Sequence, residues 1–201
     1  MIKEKRMQVA SGICLGFLLI MLCSGSAFAT DTKQIALVKD TQGKAFTVTN
    51  LYANYTVRGM GMGNFLDRNL PNLQMIISST KDRVRTTETI IFDFDKIHSI
   101  VLKNPDIPEE VKTELSKGAS SAIRIELRNG TFTIFGPGNL FQFGADGKML
   151  KKTKFDSYGI YFIRQDKSYF LHGFGGRSKT ENGKEGDFWI SDSETSSIYF
   201  Q

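Results

Sequence analysis

Two histidines, His98 and His172, are the only imidazoles in the 201-residue sequence, and they bound the chemistry it can do. His98 follows Asp93 and Asp95, two carboxylates at i, i+2 that share one side of an extended chain. These three groups are the arrangement on which a hydrolase reading rests. A zinc site needs a further ligand at workable spacing, so the carboxylates are read as solvated turn residues. His172 stands before Gly173-Phe-Gly-Gly176, with no partner in sequence. No Gly-x-Ser-x-Gly elbow is present for serine catalysis. Gly59-Met-Gly-Met-Gly63 lacks the Gly-Lys-Ser/Thr ending of a phosphate loop. Asp40-Thr-Gln-Gly43 and Asp146-Gly147 are turns without the alternating oxygen ligands of a calcium loop. The expectation is a non-catalytic chain with no cofactor and no metal.

Contact chemistry concentrates elsewhere. Between Tyr52 and Pro71 fall Tyr52, Tyr55, Arg58, Met60, Met62, Phe65 and Arg68, interrupted by three glycines. Read from Tyr52 onward, the segment shows no period of two or of 3.6, so it is expected to be a long loop. Aromatic, Met and Arg side chains are enriched at contact surfaces, which makes these seven residues the candidate binding set.

The N-terminus locates the protein. Lys3, Lys5 and Arg6 precede an apolar run from Ile13 to Leu22, and Ala27-Phe28-Ala29 fits the small-x-small cleavage pattern. A membrane helix needs about 20 apolar residues, so residues 1–29 are read as a signal peptide cut before Thr30. A lipid-modified Cys23 is the alternative. Cleavage removes both cysteines, Cys14 and Cys23, and with them disulfides, thiolate ligands and a thiol nucleophile. It also removes three basic residues and one acidic residue, which takes the formal balance from +5 to +3. That mild charge, without a basic block, argues against nucleic acid as a partner. No later apolar run is long enough to cross a membrane as a helix. The signal resembles a bacterial one, and the expected location is periplasmic, extracellular or associated with the outer membrane.

The elements that hold these residues are short strands. Ile123, Ile125 and Leu127 alternate with Arg124, Glu126 and Arg128, then Asn129-Gly130 signals a hairpin of type I′ before Phe132 and Ile134. Ile35 to Val38, the turn Asp40 to Gly43, and Phe46 to Val48 form a second strand–turn–strand with a longer, glycine-containing turn. A third pair spans Ile160–Ile163 and Tyr169–Leu171. Ile90-Ile-Phe92 with the following turn and Ile100-Val-Leu102 aligns without gaps on Phe188-Trp-Ile190 and Ile198-Tyr-Phe200. A twofold internal repeat is therefore expected. Between the halves, Asp106, Pro108 and Gly118 bracket a short helix with Val111 and Leu115 on one face.

This combination of hairpin, polar turn and Ser-Ile-apolar close is similar to that of uncharacterised exported bacterial β-rich proteins. The resemblance covers roughly residues 35–48, 89–102, 122–135 and 187–200, including IHSIVL and TSSIYF. It implies a β fold and supplies no catalytic residues. The fold class expected is mostly β: two similar antiparallel sheet units forming a sandwich or partly open barrel, with one short helix between them. The first unit covers 30–103, the helix or linker 104–118 and the second unit 119–201, packed as one domain. The function expected is an exported binding or cell-envelope scaffold module whose partner is an envelope protein or polymer. An eight-stranded outer-membrane barrel is the alternative, and the Asp93/Asp95/His98 hydrolase stands behind it.

Overall fold

The computed structural model describes residues 34–57, 66–115, 118, 121–165, 167–179 and 183–201, and the expected signal peptide lies outside them. Alternation of apolar and polar residues produces fourteen strands. The first six are β1 (Ile35–Asp40), β2 (Ala45–Val57), β3 (Leu66–Leu70), β4 (Asn72–Lys81), β5 (Val84–Asp93) and β6 (Ile97–Val101). Helix α1 (Glu109–Leu115) follows. Then come β7 (Ile123–Leu127), β8 (Phe132–Gly136), β9 (Asn139–Phe143), β10 (Met149–Lys154) and β11 (Ser157–Arg164). The last three are β12 (Lys167–Lys179), β13 (Glu185–Ser191) and β14 (Thr195–Phe200).

The strands pair antiparallel in the order β10-β9-β8-β7-β6-β14-β1-β2-β12-β11-β4-β5, with β3 added to β2 and β13 added to β12. β5 and β10 end the path without pairing to each other, so the sheet does not close into a barrel. That corrects the eight-stranded barrel alternative: both ends keep an open edge where closure would need a ladder. The architecture is an open, sandwich-like β fold.

The two halves repeat their ladders. Val38 pairs with Phe46 in the first hairpin and Ile125 with Thr133 in the second, a step of 87 residues on both strands. Val38 also faces Ile198 on β14, as Ile125 faces Ile100 on β6. Ile100 and Ile198 then face each other at the middle of the sheet. Beyond the closing strands, Leu73 opposite Phe92 in β4–β5 corresponds to Phe174 opposite Ile190 in β12–β13. The turns agree as well. Thr41 N–H donates to the Glu194 carbonyl at 2.8 Å, and Arg128 N–H donates to the Lys96 carbonyl at 2.9 Å.

The Asn129-Gly130 turn differs from the type I′ expectation, whereas Asp40 to Gly43 is the longer glycine-containing turn expected. Only Gly130 (φ 82°) and Gly43 (φ 85°) are left-handed, whereas a type I′ turn needs two such residues in succession. The chain closes instead over three residues, with Leu127 N–H to the Thr131 carbonyl and Asp40 N–H to the Lys44 carbonyl. One left-handed position per turn suffices for this geometry, and glycine takes it without a Cβ clash.

One apolar core takes side chains from near both ends of the strand path, Leu140 of β9 at one and Leu73, Met75 and Phe92 of β4 and β5 at the other, together with Val38, Ile100, Ile125, Ile198, Phe174 and Ile190. Burying both ends together folds the sheet over on itself. A second core lies on the other face of the second half, where Val111 and Leu115 of α1 meet Phe132, Ile134, Phe141 and Phe143. Neighbours such as Ile134 and Phe135 enter different cores because successive strand residues point to opposite faces. Gly136 lets the helix approach, since a Cβ there would overlap the Leu115 side chain. At seven residues α1 is too short to persist alone, and its apolar pair holds it on the sheet.

Candidate functional site

A groove of about 500 Å³ opens where the β1–β2 turn meets strand β13 and the turn into β14. Asp40, Thr41, Gln42, Lys44 and Phe46 form one wall, with Asp187, Phe188, Trp189, Ile190 and Glu194 forming the other. The turn is rigid because Asp40 Oδ1 accepts from the N–H groups of Gln42 and Lys44, both at 2.8 Å. The Thr41 N–H bond to the Glu194 carbonyl ties this wall to the β13–β14 turn. Phe46 and Phe188 meet at 5.3 Å between centroids, and the Lys44 ammonium lies 5.0 Å above Phe46.

Trp189 is the one tryptophan of the sequence, and it is 47% exposed. A large aromatic ring left half in water needs a support. Gly173, on the neighbouring strand β12, supplies it, because a Cβ at that position would come within 2.9 Å of the indole. His172 packs at 5.2 Å from the same ring. Two strand positions further along, Gly175 leaves room for the ring of Tyr52 from β2 in the same manner. Glycines on β12 thus give flat ground on which aromatic side chains from both neighbouring strands settle.

Three carboxylates line the groove, and each has one oxygen engaged. Glu194 Oε2 accepts from Ser191 Oγ at 2.7 Å, and Asp187 Oδ1 pairs with Arg177 at 3.2 Å. Asp40 uses Oδ1 in the turn. Lys44 is the single lysine or arginine among the lining residues. The surface can therefore take a partly apolar ligand bearing positive charge, stacking on indole and held by carboxylate oxygens.

Of the seven residues expected to bind, Tyr52, Tyr55 and Arg68 are among the described residues. Tyr52 through Val57 belong to strand β2, and Arg68 lies on β3, paired opposite Tyr55. Tyr55 is fully buried; its phenol accepts from the Gln74 N–H at 2.8 Å and meets Phe162 edge-on. Burial pushes that phenol far above its ordinary pKa, against a smaller opposing effect of the Gln74 hydrogen bond. Tyr52 is half-buried beside Gly175, and Arg68 is exposed. Arg58, Met60, Met62 and Phe65 lie outside the described residues. The long loop expected from Tyr52 to Pro71 is thus largely strand at its two ends.

Asp93, Asp95 and His98 lie on and between strands β5 and β6. Asp93 bonds to Lys96 at 2.7 Å, and the Lys96 pKa is raised by that hydrogen bond and by the Asp93 charge. Asp95 and His98 are exposed, and no three His, Cys, Asp or Glu side chains among the described residues gather as a metal-binding group. No helix among the described residues is long and apolar enough to cross a membrane. No family model, curated protein or solved structure matches the chain.

The groove residues were missed in sequence for a physical reason. Asp40 and Trp189 are about 150 positions apart, and long-range pairing brings them together, of β1 with β14 and of β12 with both β2 and β13. One signal was present: Trp189 follows Asp187 and Phe188 in a short strand, with an acidic residue on its own side.

Proposed function

We propose that the protein is an exported, non-catalytic binding module of the cell envelope, and that the groove beside Trp189 is its binding site. Export rests on the positive start, the apolar run and the Ala-Phe-Ala end of residues 1–29. Binding rests on the groove itself, where an exposed indole held over glycine faces carboxylates in an open concavity. Concave apolar surfaces with a few placed polar groups are the usual form of ligand sites. A hydrolase reading gains nothing from Asp93, whose carboxylate is committed to Lys96.

Two measurements test the proposal. The full chain expressed in a bacterial host should be recovered outside the cytoplasm with Thr30 first; cytoplasmic recovery with an intact N-terminus overturns export. Because Trp189 is the only indole, its emission reports on the groove directly. Envelope peptides, cell-wall glycan fragments and small amphiphiles are titrated while each probe is assayed for turnover. A saturable spectral change without turnover supports a binding module. Turnover, or silence across the panel, overturns it.

A further inference from the structure

We propose that the groove takes an extended, basic polypeptide segment, which adds as a further strand along the open edge of β13. This rests on the groove being the binding site and goes on to name its ligand. The first observation is the course of the groove. Four consecutive residues of β13, Asp187 to Ile190, line it, although their side chains alternate between two faces. Asp187 and Trp189 are exposed, whereas Phe188 and Ile190 are buried. A groove touching both sets runs along the edge of the strand rather than over one face.

The second observation is that this edge has a ladder on one side only. β12 pairs with β13 at seven successive positions, from Gly173 opposite Ser191 to Lys179 opposite Glu185. Among the described residues no strand pairs with its other side. An edge of this kind presents backbone N–H and carbonyl groups in register for one more strand. Addition to a sheet edge draws affinity from those bonds and specificity from side-chain pockets at alternate positions.

The third observation is charge. Asp187, Asp40 and Glu194 border the edge against Lys44 and against Arg177, which pairs with Asp187, so an excess of negative charge remains there although the chain as a whole carries a formal charge of +5. Asp40 stands at the end of β1, Asp187 on β13 and Glu194 in the turn into β14, so the negative charge is spread along the groove. A row of lysine or arginine side chains on alternate residues of an incoming strand matches that spread, and its aliphatic stems suit Trp189 and Phe46. A strand carrying acidic residues there meets like charge.

An octapeptide of alternating lysine and valine is the probe, followed by Trp189 emission and by calorimetry on the mature protein. It should bind saturably, and Asp187→Asn with Glu194→Gln should weaken it by about tenfold or more. Glu88→Gln, on the edge of the other hairpin, should leave the affinity unchanged. Two backbone-blocked versions, N-methylated at every valine or at every lysine, separate strand addition from simple charge attraction. One of them, whichever blocks the edge facing β13, should lose binding. The proposal is overturned if both methylated peptides bind like the parent, or if an alternating glutamate–valine peptide binds as well. Binding of a neutral glycan or amphiphile at Trp189, with the lysine peptide inert, overturns strand addition but keeps the binding module. Silence from every probe removes both.

Discussion

The two turn corners of the sheet share one backbone and differ in the side chains set on it. At the first, Thr41 donates to the Glu194 carbonyl and the side chains around it are Asp40, Glu194, Asp187 and Trp189. At the second, Arg128 donates to the Lys96 carbonyl in the equivalent bond. Lys96 stands where Glu194 does, and Ile91 (55% exposed) stands where Trp189 does. The Arg128 side chain lies across its own corner, with Nε donating to the Asp95 carbonyl at 2.9 Å and a terminal nitrogen to the Gln201 carbonyl at 3.1 Å. Backbone hydrogen bonds hold the ladder at both corners whatever the side chains are. The side chains set on that shared backbone are what distinguish the groove corner from its counterpart.

The largest test of this equivalence lies at its centre. Ile100 and Ile198 are both 0% exposed and face each other across β6 and β14. Ile100→Ala and Ile198→Ala should each cost about 2–5 kcal/mol in urea melts, by similar amounts. A loss below about 1 kcal/mol at one site alone would break the comparison. Next come the turns. Gly43→Ala and Gly130→Ala each force an L residue into the left-handed region, at about 1–2 kcal/mol. Gly130→Ala should cost more, because its Cβ would lie 3.1 Å from that of Ala145, whereas nothing lies within 4 Å at Gly43. Equal costs would show that the left-handed backbone alone sets the penalty.

Smaller effects separate the corners themselves. Arg128→Ala removes two hydrogen bonds to main-chain carbonyls and should cost about 0.5–1.5 kcal/mol. Thr41→Ala, the same substitution at the equivalent position, should lower the melting temperature less; a larger drop would mean that the first corner is also held by its side chains. Smallest of all is Lys96→Gln, which breaks an exposed pair with Asp93 and should not shift the melting temperature resolvably.

The repeated hairpins and closing strands were legible because period-two alternation and glycine turns are local properties. Ile125 and Val38 could be placed on core faces from their neighbours alone. The β2 strand was harder. Leu51, Ala53, Tyr55 and Val57 do alternate, but the polar residues between them include Asn54 and Thr56, which are also buried. Counting from Tyr52 hides that period, and the adjacent glycines suggest a loop. The groove was not legible, because it depends on which strands are left with open edges. That follows from tertiary pairing across the whole chain, and the exposure of Trp189 follows from it in turn.

Strand β14 gives the sheet a particular order of assembly. Residues 195–200 sit between β1 and β6, pairing with Ala36 through Asp40 on one side and Ser99 through Val101 on the other. Until they arrive, the two hairpin units share no ladder in the middle, and each leaves a row of backbone groups facing the gap. Completion therefore waits on contacts between positions some 160 residues apart, the slow kind of pairing that keeps β-rich chains unfolded longest. The chain cannot knit its central ladder before these residues have been synthesised, so its two hairpin units stay unjoined until the last strand is made.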